Sequence, residues 1–301
     1  MIYELSFRDL PDHGGAVVPG HLIPIDNAPP PARSEALYHC NEVTFIIHGF
    51  NVSEKKGRES LTKLAKILDN DKPDTAVVIV LWPGDSPIGP ISYPFSEGKQ
   101  AIDTAMQLSR FIEDDVGRKA TINIVAHSLG CQVALETVLR LSAMAADGDE
   151  DYPIAQICLF AAAVDDFSLS MPKRFKHAVS RAQRVLVLSS KDDSVLKFMY
   201  PIGDLIQSFT FLFRDTAGLA LGYHGPRDYK HTKRQGGIAV DKTRHKVADN
   251  VLHLALDDKF KVSHSDYFPP EGNLDLNNKQ QATARIAQAA LQGLDGLQYQ
   301  L

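Results

Sequence analysis

Ser128 stands in the segment Ile122-Asn123-Ile124-Val125-Ala126-His127-Ser128-Leu129-Gly130, where an apolar β-branched run meets a stretch of helix-forming residues. A run such as Ile122 to Val125 reads as a strand buried on both faces, and Leu129 to Ala145 reads as the helix that follows it. A sharp turn between strand and helix lifts a serine hydroxyl clear of its own backbone and leaves the next N–H able to bind an oxyanion. Ala126 and Gly130 are small at the two positions where strand and helix converge, giving the pattern A-x-S-x-G. The chemistry suggested is nucleophilic attack, and a hydroxyl attacks poorly at neutral pH. It needs a histidine to take its proton and a carboxylate to orient that histidine.

Open α/β sheets place ligands at the carboxyl ends of their strands, so both partners are sought there. Asp193 follows the apolar run Arg184 to Leu188, within Ser190-Lys191-Asp192-Asp193. His264 follows the run Val251 to Leu256, within Val262-Ser263-His264-Ser265-Asp266. Rival acids are Asp165 and Asp166, after the strand Gln156 to Ala162, and the neighbouring Asp192. Among the eleven histidines, His253 falls inside a strand and reads as core, while His48 and His127 are constrained by the strand ends that carry them. His224, His231 and His245 lie in an irregular stretch where a surface role is commoner, which leaves His264 as the candidate base. The turn His48-Gly49-Phe50 supplies the remaining part. The N–H groups of Phe50 and Leu129 are the expected oxyanion donors, one such donor contributing on the order of 3 kcal/mol to a tetrahedral intermediate. Alone, the His-Gly pair would read only as a tight turn.

These residues need a scaffold, and the hydrophobic pattern supplies one. Strands are expected at Val43 to Ile47, Thr75 to Trp82, Ile122 to Val125, Gln156 to Ala162, Arg184 to Leu188 and Val251 to Leu256. Helices are expected at Glu54 to Leu68, capped by Ser53, at Gln100 to Asp115, at Leu129 to Ala145, briefly at Pro172 to Val179, and at Asn277 to Leu294. This alternation predicts an α/β fold with a mostly parallel central sheet and helices on both faces. The expected organisation is a single domain over 1–301. Its first 40 residues are an irregular, Pro- and Gly-rich segment with short edge strands at Ile2 to Phe7 and His21 to Ile25. Residues 195–245 form a lid or substrate insertion near the site. Phe95, Trp82, Ile206, Phe209, Phe211, Leu212 and Phe213 would line an acyl pocket or form a lid; otherwise they are ordinary core.

Composition narrows the remaining classes. With 44% hydrophobic and 23% charged residues, the 301-residue chain is an ordinary globular protein able to bury a large core. A net charge of -5 gives no overall field for nucleic acid, although Lys230 to Arg234 is locally basic. Three cysteines, Cys40, Cys131 and Cys158, are odd in number and far apart, which argues against a disulfide framework. Neither a signal peptide nor a membrane-spanning run is evident, so the chain is expected in the cytoplasm; leaderless export would look the same. No metal spacing, G-x-G-x-x-G or G-x-x-x-x-G-K-[ST] pattern occurs, so no cofactor and no metal are expected.

At these residues the sequence resembles the α/β-hydrolase superfamily. More narrowly, it is similar to a largely uncharacterised, mostly bacterial family of serine hydrolases with an H-G-F-N turn, an A-H-S-[LM]-G elbow and a late H-S-x-[YF] segment. Here these are His48 to Asn51, Ala126 to Gly130 and His264 to Tyr267. The resemblance implies the order nucleophile, acid, histidine. It matches Ser190 to Leu196 to the family's acid segment, favouring Asp193 over Asp192. The implied function is a serine hydrolase cleaving carboxylic esters, esterase or lipase, with Ser128, Asp193 and His264 as a triad and an acyl-enzyme intermediate. Its substrate would be a small-molecule or lipid ester, with peripheral membrane contact compatible. The alternatives are an acyltransferase using the same acyl-enzyme and a non-catalytic interaction protein that has kept the scaffold.

Overall fold

The structure is a computed structural model describing residues 1–10, 15–25, 37–85, 97–146, 151–172, 174–197, 219–235, 238–256 and 260–293. The chain opens with strands β1 (Ile2–Arg8) and β2 (Val17–Ile25). It then alternates: β3 (Glu42–Ile47), α1 (Glu54–Leu68), β4 (Thr75–Leu81), α2 (Glu97–Phe111), β5 (Thr121–His127), α3 (Gly130–Ala146), β6 (Ile154–Phe160), α4 (Lys176–Arg181) and β7 (Arg184–Ser190). A two-stranded unit of β8 (Tyr229–Gln235) and β9 (Ile238–His245) precedes β10 (Val251–Leu256) and α5 (Asn278–Leu291).

Strands β3 to β7 are runs of Val, Ile, Leu and Phe buried along almost their whole length. A strand apolar on both sides needs cover on both faces, which a parallel sheet with crossover helices provides. The sheet order is β10-β7-β6-β5-β3-β4-β1-β2, parallel throughout except for β1 against β2. Alternate residues feed two separate cores. Val43, Phe45 and Ile47 of β3 pack with Leu108 of α2, Val133 of α3 and Val179 of α4. Ile46 faces the other way, with Leu61 and Leu64 of α1 and Ile286 of α5.

The arrangement creates a crevice at one place. From β3 the chain moves outward to β4, whereas from β5 it moves the opposite way to β6 and β7. The helix after β3 lies on one face and the helix after β5 on the other, so the loops leaving these adjacent strands diverge at their carboxyl ends. Such a reversal is where open α/β sheets bind ligands.

Several expectations change in detail. Ile2 to Phe7 is an interior strand rather than an edge strand: β1 pairs with both β4 and β2, and Tyr3, Leu5 and Phe7 are buried. The helix expected to reach Asp115 ends at Phe111 and continues as a π-helical turn, Ile112–Val116, closed by Gly117. β10 lies at the sheet's border, so its apolar run buries fully only at Leu256: Leu252 is 50% exposed, and His253, expected as core, is exposed with Nε2 bonded to the Ser189 hydroxyl at 2.8 Å. Of the expected insertion 195–245, residues 198–218 lie outside the described residues, as does Phe95. The described remainder contains a helical turn at Leu221–His224 and the β8–β9 hairpin. Trp82 is fully buried and belongs to the core.

Candidate active site

Ser128 follows the last residue of β5 and has φ of 54°, a left-handed conformation that costs a non-glycine residue energy. Its backbone is held on both sides: Ser128 N–H donates to the Phe160 carbonyl (2.9 Å), and the Ser128 carbonyl accepts from Ala163 N–H (3.1 Å). This strained elbow requires close backbone approach. A Cβ on Gly130 would lie 2.3 Å from the His48 carbonyl oxygen, so only glycine lets the first turn of α3 meet the end of β3.

His264 enters from a short 3-10 turn, His264–Asp266, after β10. Asp266 steadies that turn by accepting from Ser263 N–H (2.9 Å) and from the Ser263 hydroxyl (2.7 Å). His264 Nδ1 lies 2.8 Å from Asp193 Oδ2, and Nε2 lies 2.9 Å from Ser128 Oγ. A carboxylate accepts only, so Nδ1–H donates to Asp193 and the unprotonated Nε2 accepts from the serine hydroxyl. Asp193 is completely buried after β7, and its other oxygen accepts from Leu196 N–H (2.9 Å) in the helical turn it caps. The order along the chain is Ser128, Asp193, His264.

The rival acids are elsewhere. Asp192 is exposed. Asp166 is buried but turned to Arg227, with Oδ1 accepting from Nη2 at 2.9 Å; burial raises its pKa against the pull of that guanidinium. Asp165 lies in an isolated backbone bridge with Ala220.

The turn after β3 is built against the elbow. A Cβ on Gly49 would come within 2.9 Å of Ser128 Cβ, so Gly49 is what allows the turn to lie there. Three hydrogen bonds fasten it to the loop after β4: Trp82 N–H to His48 Nε2 (3.2 Å), Trp82 Nε1–H to the His48 carbonyl (2.9 Å) and Asn51 N–H to the Gly84 carbonyl (2.7 Å). Because Nε2 of His48 accepts, its proton sits on Nδ1, which donates to the Gly49 carbonyl at 2.8 Å. Burial lowers the His48 pKa to about 4, with the nearby Arg8 charge adding to it, so this ring is neutral. Arg8 is itself buried, bonding to Asp85 (2.5 Å) and to the Trp82 carbonyl (2.8 Å). β1 therefore anchors the loop that anchors the turn. Leu129 N–H, at the positive end of α3, has no hydrogen-bond partner among the described residues, and Phe50 is half-buried beside the turn.

Two contributors were not legible as such in the sequence. His127 packs its ring against His264 (4.8 Å) and Phe268 (5.2 Å), and His48 locks the turn; their adjacent motifs were visible, but the contacts join residues far apart in the chain. Among the described residues no cluster of His, Cys, Asp or Glu could hold a metal ion, and no helix is long and apolar enough to cross a membrane. The cysteines are free and buried, and burial raises the thiol pKa of Cys158 to about 12.

Residues 35–206 match the family described as "Alpha/beta hydrolase of unknown function (DUF900)". No curated protein matches the chain. Among solved structures, esterase PE8 is 16% identical, with 96% of this chain and 99% of that one covered and a TM-score of 0.45. An esterase from Pyrobaculum calidifontis is 15% identical over 85% of this chain and 78% of its own, with a TM-score of 0.41. A thermophilic esterase from Thermogutta terrifontis is 8% identical over 85% and 84%, with a TM-score of 0.41.

Proposed function

The chain belongs to the α/β-hydrolase family of unknown function DUF900 and has the α/β-hydrolase fold, and on that premise we propose that it is a serine hydrolase cleaving carboxylic esters. The observation that carries this reading is the unbroken chain of hydrogen bonds from Asp193 through His264 to Ser128, at the carboxyl ends of β7, β10 and β5.

Ser128 Oγ attacks the ester carbonyl while His264 Nε2 takes its proton. Asp193 holds the imidazole tautomer and stabilises the imidazolium that forms. The N–H groups of Leu129 and Phe50 receive the oxyanion, preorganised by the anchored turn and by the start of α3. Collapse of the tetrahedral intermediate passes the proton from His264 to the departing alkoxide and leaves an acyl group on Ser128. Water, deprotonated by His264, then attacks the acyl-enzyme; the second collapse releases the carboxylic acid and returns the proton to Ser128.

Labelling with a fluorophosphonate probe tests this reading. The expected result is covalent labelling of the wild-type protein that is lost in Ser128→Ala. Folded wild-type protein that takes no label would overturn it.

A further inference from the structure

The central sheet ends in two borders that are built differently. At one, β2 carries Pro19 and Pro24, its pairing with β1 slips between Ser6 and Arg8, and Gln100 of α2 donates to the Gly15 carbonyl just before it (3.2 Å). Proline offers no N–H and a bulge twists the strand; both keep a sheet border from pairing with another chain. At the other border, β10 reads Val251-Leu252-His253-Leu254-Ala255-Leu256, with no proline, no glycine and no Lys, Arg, Asp or Glu. All of it pairs with β7 in unbroken register.

The outward side of β10 is open. The Asn250 carbonyl accepts from Val185 N–H at 2.9 Å. In a parallel ladder every second residue bonds to the neighbouring strand, so Leu252 and Leu254 continue that series toward β7, and the backbone N–H and C=O groups of His253 and Ala255 point away from the sheet. These groups have no partner among the described residues. His253 and Ala255 are exposed, and so is the Leu252 side chain.

A second β10 fits this edge. Placed antiparallel about a two-fold axis perpendicular to the sheet, it sets His253 of one chain opposite Ala255 of the other, so each outward N–H meets a facing carbonyl. Leu254 then lies opposite Leu254, Leu252 is covered, and no charged side chain of the strand is buried. The incoming strand is already held straight by β7, so it avoids the ordering cost that a loose peptide would bear. A two-fold contact uses the same edge on both chains and closes on itself. The guarded β2 border keeps the joined sheet from growing further.

We propose that β10 is a dimer interface, through which two copies of this chain join edge to edge into one continuous sheet. The strands run in opposite directions across the junction, so the two Ser128 crevices open at opposite ends of it and each keeps its own residues. The interface goes beyond the hydrolase reading and does not depend on it.

Sedimentation velocity over a range of micromolar concentrations tests the proposal. The expected wild-type species is a dimer, unchanged in Ser128→Ala and in Ile23→Lys, which places a charge on the β2 border. Leu252→Lys and Ala255→Lys, both at exposed positions of β10, should remain monomeric to at least about tenfold higher concentration, because edge lysines oppose strand pairing. Circular dichroism checks that these variants are folded. Hydrogen exchange on the wild type is a second measure that needs no variant: the His253 and Ala255 amides should exchange more slowly at high protein concentration than at low. A wild type that is monomeric throughout, a dimer indifferent to both β10 lysines, loss of the dimer in Ile23→Lys, or β10 exchange independent of concentration would overturn the proposal. Failure of the hydrolase reading would instead appear as unlabelled Ser128 in an intact dimer.

Discussion

His127 Nε2 lies 2.9 Å from the carbonyl oxygen of His264, so the residue before the candidate nucleophile holds the backbone of the candidate base. A carbonyl only accepts, which places the proton of His127 on Nε2 and makes the ring a neutral donor. Burial, and then the neighbouring His264, hold the His127 pKa well below its ordinary value, consistent with that neutral form. The strand that presents Ser128 and the turn that presents His264 are thereby joined by a side-chain-to-backbone bond as well as by the Ser128 to His264 hydrogen bond.

Replacing His127 with Phe keeps an aromatic ring but removes this donor. The expected effect is a fall in kcat of about tenfold at little-changed KM, the size of one lost hydrogen bond to a partly buried acceptor. Gln, which can still donate, should recover part of the loss. Steady-state kinetics on a soluble short-chain ester measures both; unchanged turnover in the Phe variant would mean that the Ser263 to Asp266 box alone positions His264.

Asp193→Asn should lower turnover on the order of 10⁴-fold, because the amide favours the wrong tautomer of His264. Asp192→Asn, at an exposed site, should leave turnover unchanged. Comparing these two with Asp166→Asn in the same ester assay assigns the acid, and equal activity in Asp193→Asn would move the role elsewhere.

Gly130→Ala places a methyl group 2.3 Å from the His48 carbonyl oxygen, where backbone must give way. The expected cost is about 1–3 kcal/mol of stability, read from the shift in a urea unfolding midpoint, together with lower turnover because the turn carrying Phe50 is displaced. A variant with unchanged midpoint and turnover would show that α3 can move away from β3 freely.

Stability should fall on acidification below neutrality. His48 is buried and neutral with its pKa lowered from 6.5 to about 4, so between those values the unfolded chain binds a proton that the folded chain refuses. Above about pH 6.5 the group adds no pH dependence; the loss grows as pH falls and levels off near pH 4, reaching about 3 kcal/mol for His48. His127 contributes in the same direction. Urea midpoints measured from pH 7 to pH 4 check this, and a flat profile would mean that both rings take up protons in the folded state as readily as in the unfolded chain.

Hydrophobic patterning was enough to establish the α/β alternation, since runs such as Ala76 to Leu81 and Val185 to Leu188 are apolar at every position and demand cover on both faces. It also marked Ser128, Gly49, Asp193 and His264, because each sits where a strand pattern stops and a residue with chemistry or unusual backbone freedom follows. Between Asp192 and Asp193 the segment resemblance favours the second, but their residue types are the same and adjacent in sequence; it is the fold that buries Asp193 against His264 and exposes Asp192. The same holds for His48 and His127. Local pattern marks where strands end, but a hydrogen bond such as His127 to His264 spans 137 positions and depends on the order in which the strands lie side by side. Ile2 to Phe7, expected at an edge, and His253, expected in the core, depart from expectation for this reason too: burial depends on neighbours, and β1 has a strand on each side whereas β10 closes the sheet. Hydrophobic periodicity is a property of a segment, while side-chain convergence is a property of the packed sheet.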